Sequence, residues 1–293
     1  MSRTRRAPVP LPRARAPDRC FTAAVRIDRF LLYEAAVQDV AFDLRFFQRV
    51  YRRMRGRPFH FLREDFCGSA WLACQWVAHG GDRFAIGVDL SREALAWTRA
   101  RHLPGLGLAA ERIALVRADV RRSGAPPVDV IAALNCSYWV FHRRTELLDY
   151  FQAVRRGLRR GGLLFLDAFG GEDTMRTLTE KRRVRRRTKG GEKVPPFTYV
   201  WEHRSFNPID SHLIADIHFE LENGRRMRRA FTYDWRMWSL PELNDALREA
   251  GFVDVHVYIQ GWDDEAHRPL DVYRRRTRFE NQKAWLAYIV AVR

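Results

Sequence analysis

Five short apolar runs, each closed by a polar or glycine-bearing turn, limit what this chain can fold into. They are Phe59–Asp65, Phe84–Asp89, Ile113–Ala118, Val128–Leu134 and Leu163–Phe169. Runs of this length, without strict apolar–polar alternation, fit strands covered on both faces. Helix-length segments lie between several of them: Ala70–Ala78, Arg92–Arg101 and Thr145–Leu158. Ser91 can cap the second, with Glu93 in its favourable first turn. Gly161-Gly162 stops the third. Strands separated by helices of about 10–15 residues mean a parallel sheet with right-handed crossovers.

The flanks read differently. From Arg26 to Arg53, apolar residues such as Phe30, Leu31, Tyr33, Val37, Phe47 and Tyr51 recur at helical spacing, so one or two helices precede the first strand. After Gly170-Gly171 the rhythm changes. The segment up to Lys193 reads as a helix or mobile loop. Phe197–Phe206, Leu213–Leu221 and Met227–Trp238 then read as strands, joined by the turn residues Asn207-Pro208 and Asn223-Gly224. An antiparallel meander follows from that order. Ser239-Leu240-Pro241-Glu242 opens a last helix with a cap, an early proline and an acid, and that helix ends near Gly251. Val253–Gln260 and Ala284–Val292 supply two final strands, expected as an antiparallel hairpin at the sheet edge.

The chain has 293 residues, 46% of them hydrophobic, enough for a real core. No run of 18 apolar residues occurs, so no membrane span is expected. Cys20, Cys67, Cys74 and Cys136 match no zinc or redox spacing and follow no secretory apolar region, which points to reduced thiols and a cytoplasmic location. Net charge is +17, and all but four of the 52 basic residues are arginine. Residues 1–20 are rich in Arg and Pro and are expected to be disordered. A second basic cluster runs from Lys181 to Lys193. Both would attract polyanions weakly and non-specifically, so solvated charge is preferred to a nucleic-acid partner.

The chemistry concentrates at the strand ends. Glu64-Asp65-Phe66-Cys67-Gly68-Ser69-Ala70 is a small-residue turn, and Asp89 stands about 20 positions on. That is the layout of a nucleoside-binding βαβ unit, in which the turn admits a ligand and the carboxylate accepts from two ribose hydroxyls. The lesser alternative is that Asp89 only caps the following helix. Asp119 closes the third run and Asn135-Cys136-Ser137-Tyr138 the fourth, where open parallel sheets bind ligands.

In this order the residues resemble the class I S-adenosylmethionine-dependent methyltransferases, over about Arg26 to Arg293. Phe66 and Ala70 stand where the family's turn has its first and third glycines, and Gly68 is kept. The resemblance implies a doubly wound, Rossmann-like sheet of seven strands, mostly parallel with a C-terminal antiparallel hairpin, plus the inserted meander. It implies a cofactor domain over 21–170 and 239–293, with 171–238 as substrate lid or homodimer contact. By the same resemblance, S-adenosylmethionine would be held through Glu64 or Asp65 at its amino group and by Cys67 and Gly68. Asp89 and Leu90 would meet the ribose, Asp119 and Val120 the adenine, and Asn135 and Tyr33 would add further contacts. Asn135 and Tyr138 would orient the reacting groups, and Tyr33 would belong to a lid.

A small-molecule amine or hydroxyl is the expected methyl acceptor. The two prolines common after strand four in nucleic-acid amino methyltransferases are missing here. An RNA or protein substrate using the basic segments is the alternative, and a non-catalytic scaffold a further one. Phe-Thr-Tyr-x-Trp occurs at both 197–201 and 231–235, placing three aromatics on one strand face, either as packing or as an aromatic wall beside the methyl donor. His142, His203 and His218 are expected as surface or packing residues, with no metal cluster.

Overall fold

The computed structural model describes residues 27–185, 194–263 and 268–293. Two helices, α1 (Arg29–Val37) and α2 (Val40–Arg55), precede the first strand. Asp28 and Asp39 cap them by accepting from the backbone N–H of Leu31 (2.9 Å) and Phe42 (3.3 Å). Helix α2 ends with Arg52, Arg53 and Arg55 in its last turn and Gly56 at φ +69°, so its free carbonyls face positive charge.

The alternating section follows: β1 (Phe61–Asp65), α3 (Trp71–Ala78), β2 (Phe84–Asp89), α4 (Arg92–Arg101), the short α5 (Leu103–Leu106), β3 (Ile113–Arg117), β4 (Val128–Ala133), α6 (Arg144–Gly157) and β5 (Leu158–Gly170). Ser91 caps α4 as expected, accepting from the Ala94 N–H at 3.1 Å. Boundaries lie within two residues of the sequence reading except at β5, which starts at Leu158. Gly161-Gly162 does not separate helix from strand; it sits where the β4–β5 register slips between Val128 and Val130.

Then come β6 (Leu178–Val184), β7 (Phe197–Asn207), β8 (His212–Leu221), β9 (Arg226–Arg236), α7 (Leu240–Glu249), β10 (Asp254–Asp263), β11 (Arg268–Arg275) and β12 (Trp285–Val292). Ser239 and Glu242 close a reciprocal capping box at α7.

The large sheet has the order β11-β10-β12-β5-β4-β1-β2-β3. Its β1–β5 section is parallel, and β12 pairs antiparallel with both β5 and β10, the expected C-terminal pair. An eighth strand, β11, extends that edge. Its Arg-Pro-Leu-Asp-Val-Tyr-Arg-Arg sequence hides it, because charged residues and a proline are what an exposed edge strand carries. Leu163 and Phe165 face the side covered by α2 and α3, while Leu164 and Leu166 face α6 and α7, so the sheet is doubly wound.

A separate antiparallel sheet has the order β6-β7-β8-β9. Part of the stretch expected as helix or loop is thus strand β6. Its edge side chains are paired with β8 and the turn beyond it, Lys181 with Glu220 and Arg183 with Glu222. The other basic residues at 186–193 and the tail at 1–20 lie outside the described residues. Helix α1 packs through Leu31, Leu32 and Ala35 on Phe197, Ile217 and Phe219, and Leu213, Ala215 and Trp235 of this sheet share a core with Leu164, Leu166 and Ile289 of the large one. Among the described residues no helix is long and apolar enough to cross a membrane.

Candidate active site

The turn after β1 is built of left-handed residues. Phe66, Gly68 and Ala70 have φ of +54°, +52° and +49°. All three positions where glycine is at home keep the glycine conformation, although only one keeps glycine. An L-residue there costs roughly 1–2 kcal/mol, so packing must hold the other two. The Phe66 ring lies edge-on to Phe141 (5.9 Å) and Tyr150 (5.5 Å), and Ala70 is fully buried. Gly68 faces open space: a Cβ there would meet nothing within 4 Å. Its N–H donates to Asp89 Oδ2 and the Ser91 N–H to Oδ1, each at 2.7 Å. The Asp89 carboxylate is thereby fixed at the end of β2, and each oxygen keeps a second lone pair. Leu90 beside it is exposed.

At the end of β3, Asp119 is clasped by Arg121, through the backbone N–H at 2.9 Å and the guanidinium at 2.6 Å. Those hydrogen bonds hold its carboxyl below the usual range. Val120 is buried.

Next to these strand ends lies a cavity of about 670 Å³. One wall is the ends of β1, β4 and β5, at Glu64, Leu134–Cys136, Asp167, Phe169 and Gly170. A second is the α1–α2 corner, and a third is the antiparallel sheet. Tyr199 and Trp201 of β7 and Tyr233 and Trp235 of β9 line it, so two of the three aromatics in each repeated motif form a wall. Phe197 and Phe231, the other ends of those motifs, pack instead in the core beneath α1. Gly170 is required where the chain passes under the Trp285 ring, since a Cβ there would lie 2.0 Å from it.

The cavity is strongly acidic. Asp39, Asp43, Glu64, Asp167, Asp173 and Glu180 line it, and Arg182 is the one Lys or Arg among the described residues that does. Three of these carboxyls are driven up mainly by burial: Glu64 to about 8, Asp43 to about 7 and Asp167 to about 6. The Ala73 N–H (2.9 Å) partly offsets this at Glu64, while Asp89 and Asp43 add to it. Tyr288 donates to Asp43. Asp167 accepts from the backbone N–H groups of Asn135 and Cys136, both at 2.8 Å.

The expected site residues sort clearly. Tyr33, Glu64 and Asn135 line the cavity. Gly68, Asp89, Leu90 and Asp119 lie at the neighbouring strand ends, outside it. Three more of the expected residues lie away from the cavity. Asp65 does not share a face with Glu64: it is buried with Arg63, which donates to both its oxygens at 2.8 Å, and with the Tyr150 hydroxyl at 3.1 Å. Adjacent strand residues point to opposite faces, and only Glu64 points to the cavity. Tyr138 lies outside the cavity lining: it is fully buried in the core and donates to the Asp167 carbonyl at 2.8 Å. Cys67 is buried behind the turn, with Cys74 and Cys136 also free and buried. His203 is buried against Phe169 and Trp201 and lines the cavity, while His142 and His218 are partly exposed and each stands in a cluster of His and carboxylate groups.

Residues 65–166 match the family model described as "Methyltransferase domain". Over these residues the chain carries a methyltransferase domain. No curated protein sequence matches the chain. Among solved structures it resembles CalS10, an amino pentose methyltransferase from Micromonospora echinaspora, at 16% identity and TM-score 0.62, over 89% of this chain and 94% of that one. It also resembles the sugar N-methyltransferase KedS8 from a Streptoalloteichus species (18%, TM-score 0.61, 96% and 98%) and DesVI from Streptomyces venezuelae (18%, TM-score 0.63, 90% and 95%).

Within this methyltransferase fold, sequence reasoning missed Asp43 and Asp167. Asp167 had a usable signal, as the one acid inside the otherwise apolar Leu163–Phe169 run. Asp43 had none, because an acid in the first turn of a helix is ordinary.

Proposed function

We propose that this enzyme transfers a methyl group from S-adenosylmethionine to an amine nitrogen of a small molecule. The observation that carries the reading is the cavity itself, in which six carboxylates face one guanidinium beside an aromatic wall. Such a lining favours a cation over an anion or a neutral polyol.

The residues fit the cofactor. The open face of Gly68 admits it, the Asp89 carboxylate offers two held oxygens to a cis-diol, and Leu90 offers an apolar surface beside them. Glu64 would take its ammonium. Asp119 would meet the adenine, and Asn135 and Tyr33 would close the reacting end. When bound, S-adenosylmethionine supplies an activated methyl on a sulfonium, so the chain contributes alignment and exclusion of water. The acceptor nitrogen enters as an ammonium, and Asp43 or Asp167 accepts its proton, which frees the lone pair for in-line attack. Their raised proton affinities suit that task near neutral pH. The antiparallel sheet acts as the substrate lid over residues 171–238. The resemblance in fold to an amino pentose and a sugar N-methyltransferase accords with an amine acceptor.

The test is a radiolabelled methyl-transfer screen of primary and secondary amines, matched alcohols and RNA, with calorimetry for the cofactor. Turnover on amines and cofactor affinity lost in Asp89→Ala are expected. Turnover confined to alcohols or RNA would overturn the acceptor, and absent cofactor affinity the whole reading.

A further inference from the structure

Two clusters of potential metal ligands stand outside the cavity, on the antiparallel sheet, and they differ in chemistry. In the first, Glu202, Asp216 and His218, the imidazole is already used on both sides. Its Nδ1 accepts from the Arg229 N–H at 3.0 Å, so its Nε2 carries the proton given to Glu202 at 2.9 Å. Metallation at Nε2 would require an imidazolate. The Arg204 and Arg229 guanidinium groups also stand 3.5 Å from Asp216. That cluster is an ion-pair network.

The second has the opposite character. His142 precedes α6, His212 opens β8 and Asp234 lies on β9. His212 Nε2 is 2.7 Å and His142 Nε2 3.2 Å from the same oxygen, Asp234 Oδ1, and the two rings are 5.2 Å apart. Both imidazoles therefore turn the same nitrogen toward Asp234, and His142 Nε2 also lies 3.0 Å from the Asp234 backbone carbonyl, to which it donates when it carries the proton. Neither Nδ1 has a hydrogen-bond partner among the described residues, and both rings are partly exposed, so the proton can move to Nδ1 and face water. That tautomer leaves two neutral Nε2 donors and one carboxylate converging, the 2-His-1-carboxylate set. Small movements open these separations to those of ligands sharing one ion at about 2.0–2.2 Å. Arg236 stands nearby, donating to the His142 carbonyl, and its charge is offset by Glu242.

We propose that His142, His212 and Asp234 form a binding site for one borderline divalent cation, with zinc(II) the best match. The ion would take three protein ligands and water. It would join the loop ahead of α6, on the cofactor-binding side, to two strands of the antiparallel sheet. Asp234 lies between Tyr233 and Trp235, both of which line the cavity, so the ion would clamp the outside of the aromatic wall. This site does not depend on which acceptor the enzyme uses.

The experiment is calorimetric titration of the full chain, stripped with chelator, with zinc chloride at pH 7.5, with cobalt(II) absorption reporting coordination. One ion per chain is expected, with a rise in thermal midpoint on loading. Each of His142→Ala, His212→Ala and Asp234→Asn should weaken binding by more than the ~10–100-fold that loss of an outer-shell partner costs. Glu202→Gln should leave it unchanged. All three positions are at the surface, and cofactor affinity measured on the same samples confirms that each variant is folded. No binding in the unaltered chain, or binding that survives the double His142→Ala/His212→Ala substitution, overturns the site.

Discussion

Replacing Glu64 by glutamine should stabilise the ligand-free enzyme while removing its affinity for the cofactor. Glu64 is 7% exposed, and burial raises its carboxyl from an ordinary 4.5 to about 8. The folded state therefore holds the proton more tightly than the unfolded chain does. Stability associated with this group is fully present below pH 4.5 and is lost as pH rises through 8. At about 1.36 kcal/mol per pH unit, the loss approaches about 5 kcal/mol above pH 8 and about 2 kcal/mol at pH 6. Glutamine never ionises, and its amide oxygen can still accept the Ala73 N–H. Its NH₂ group, if unpaired, costs about 1 kcal/mol or somewhat more. Glu64→Gln should thus exceed the parent by roughly 3–4 kcal/mol at pH 8 and match it or fall slightly below at pH 4.5. Urea unfolding across that range, without ligand, measures the difference. Adding S-adenosylmethionine should reverse the order, because a ligand that binds only the folded parent stabilises only the parent. A variant less stable than the parent at pH 8, or a difference that does not grow with pH, would refute the placement of a buried, uncompensated carboxyl at the end of β1.

Three further outcomes follow from neighbouring residues. Asp65→Ala should cost about 3–5 kcal/mol, because Arg63 is then buried without its partner, yet cofactor affinity measured on the folded fraction should persist. The pair Arg63→Met/Asp65→Leu should recover most of that loss, and a double-mutant cycle in urea reads it. Tyr138→Phe removes one hydrogen bond to the Asp167 carbonyl and should cost about 1 kcal/mol, with the acceptor Michaelis constant unchanged; a loss of turnover beyond tenfold would restore it to the reacting centre. Trp235→Ala should raise that constant and leave cofactor affinity intact, since Trp235 stands 4.2 Å from Tyr233 in the wall and away from the strand ends that would hold the cofactor.

The strands of the large sheet were legible because they satisfy local and global demands together. A central strand such as β4, buried at every position, is apolar except at Asp129, whose carboxylate accepts from the His60 and Phe61 backbone N–H groups. Its neighbours end at turns whose residue types follow from backbone geometry. Capping was equally readable at Ser91 and Ser239, where one side chain answers one free N–H. The two strands missed, β6 and β11, are both sheet edges. An edge strand keeps only one neighbour and takes charged residues to stay single, so its sequence imitates a loop. The Lys181–Arg183 run therefore looked like a solvated cluster, although pairing of its edge to β7 and of its charges to Glu220 and Glu222 had already decided its conformation.

The site divides along a different line. Residues that would meet the cofactor come from turns that follow strands directly, and their spacing in the chain is their spacing in the sheet. Gly68 and Asp89 are 21 positions apart and are joined by one hydrogen bond. The residues that give the cavity its charge come from segments with no sequence relation: Asp43 from α2, Glu64 from β1 and Asp167 from β5. Each looks ordinary alone. Together they repel, since Asp89 and Asp43 raise Glu64 and Asp167 raises Asp43. Such a set is retained against its own electrostatic cost only if something positive enters between its members. A cationic cofactor and a cationic acceptor would both do so, which is why the acidity of the cavity, more than any motif, supports the proposed amine acceptor.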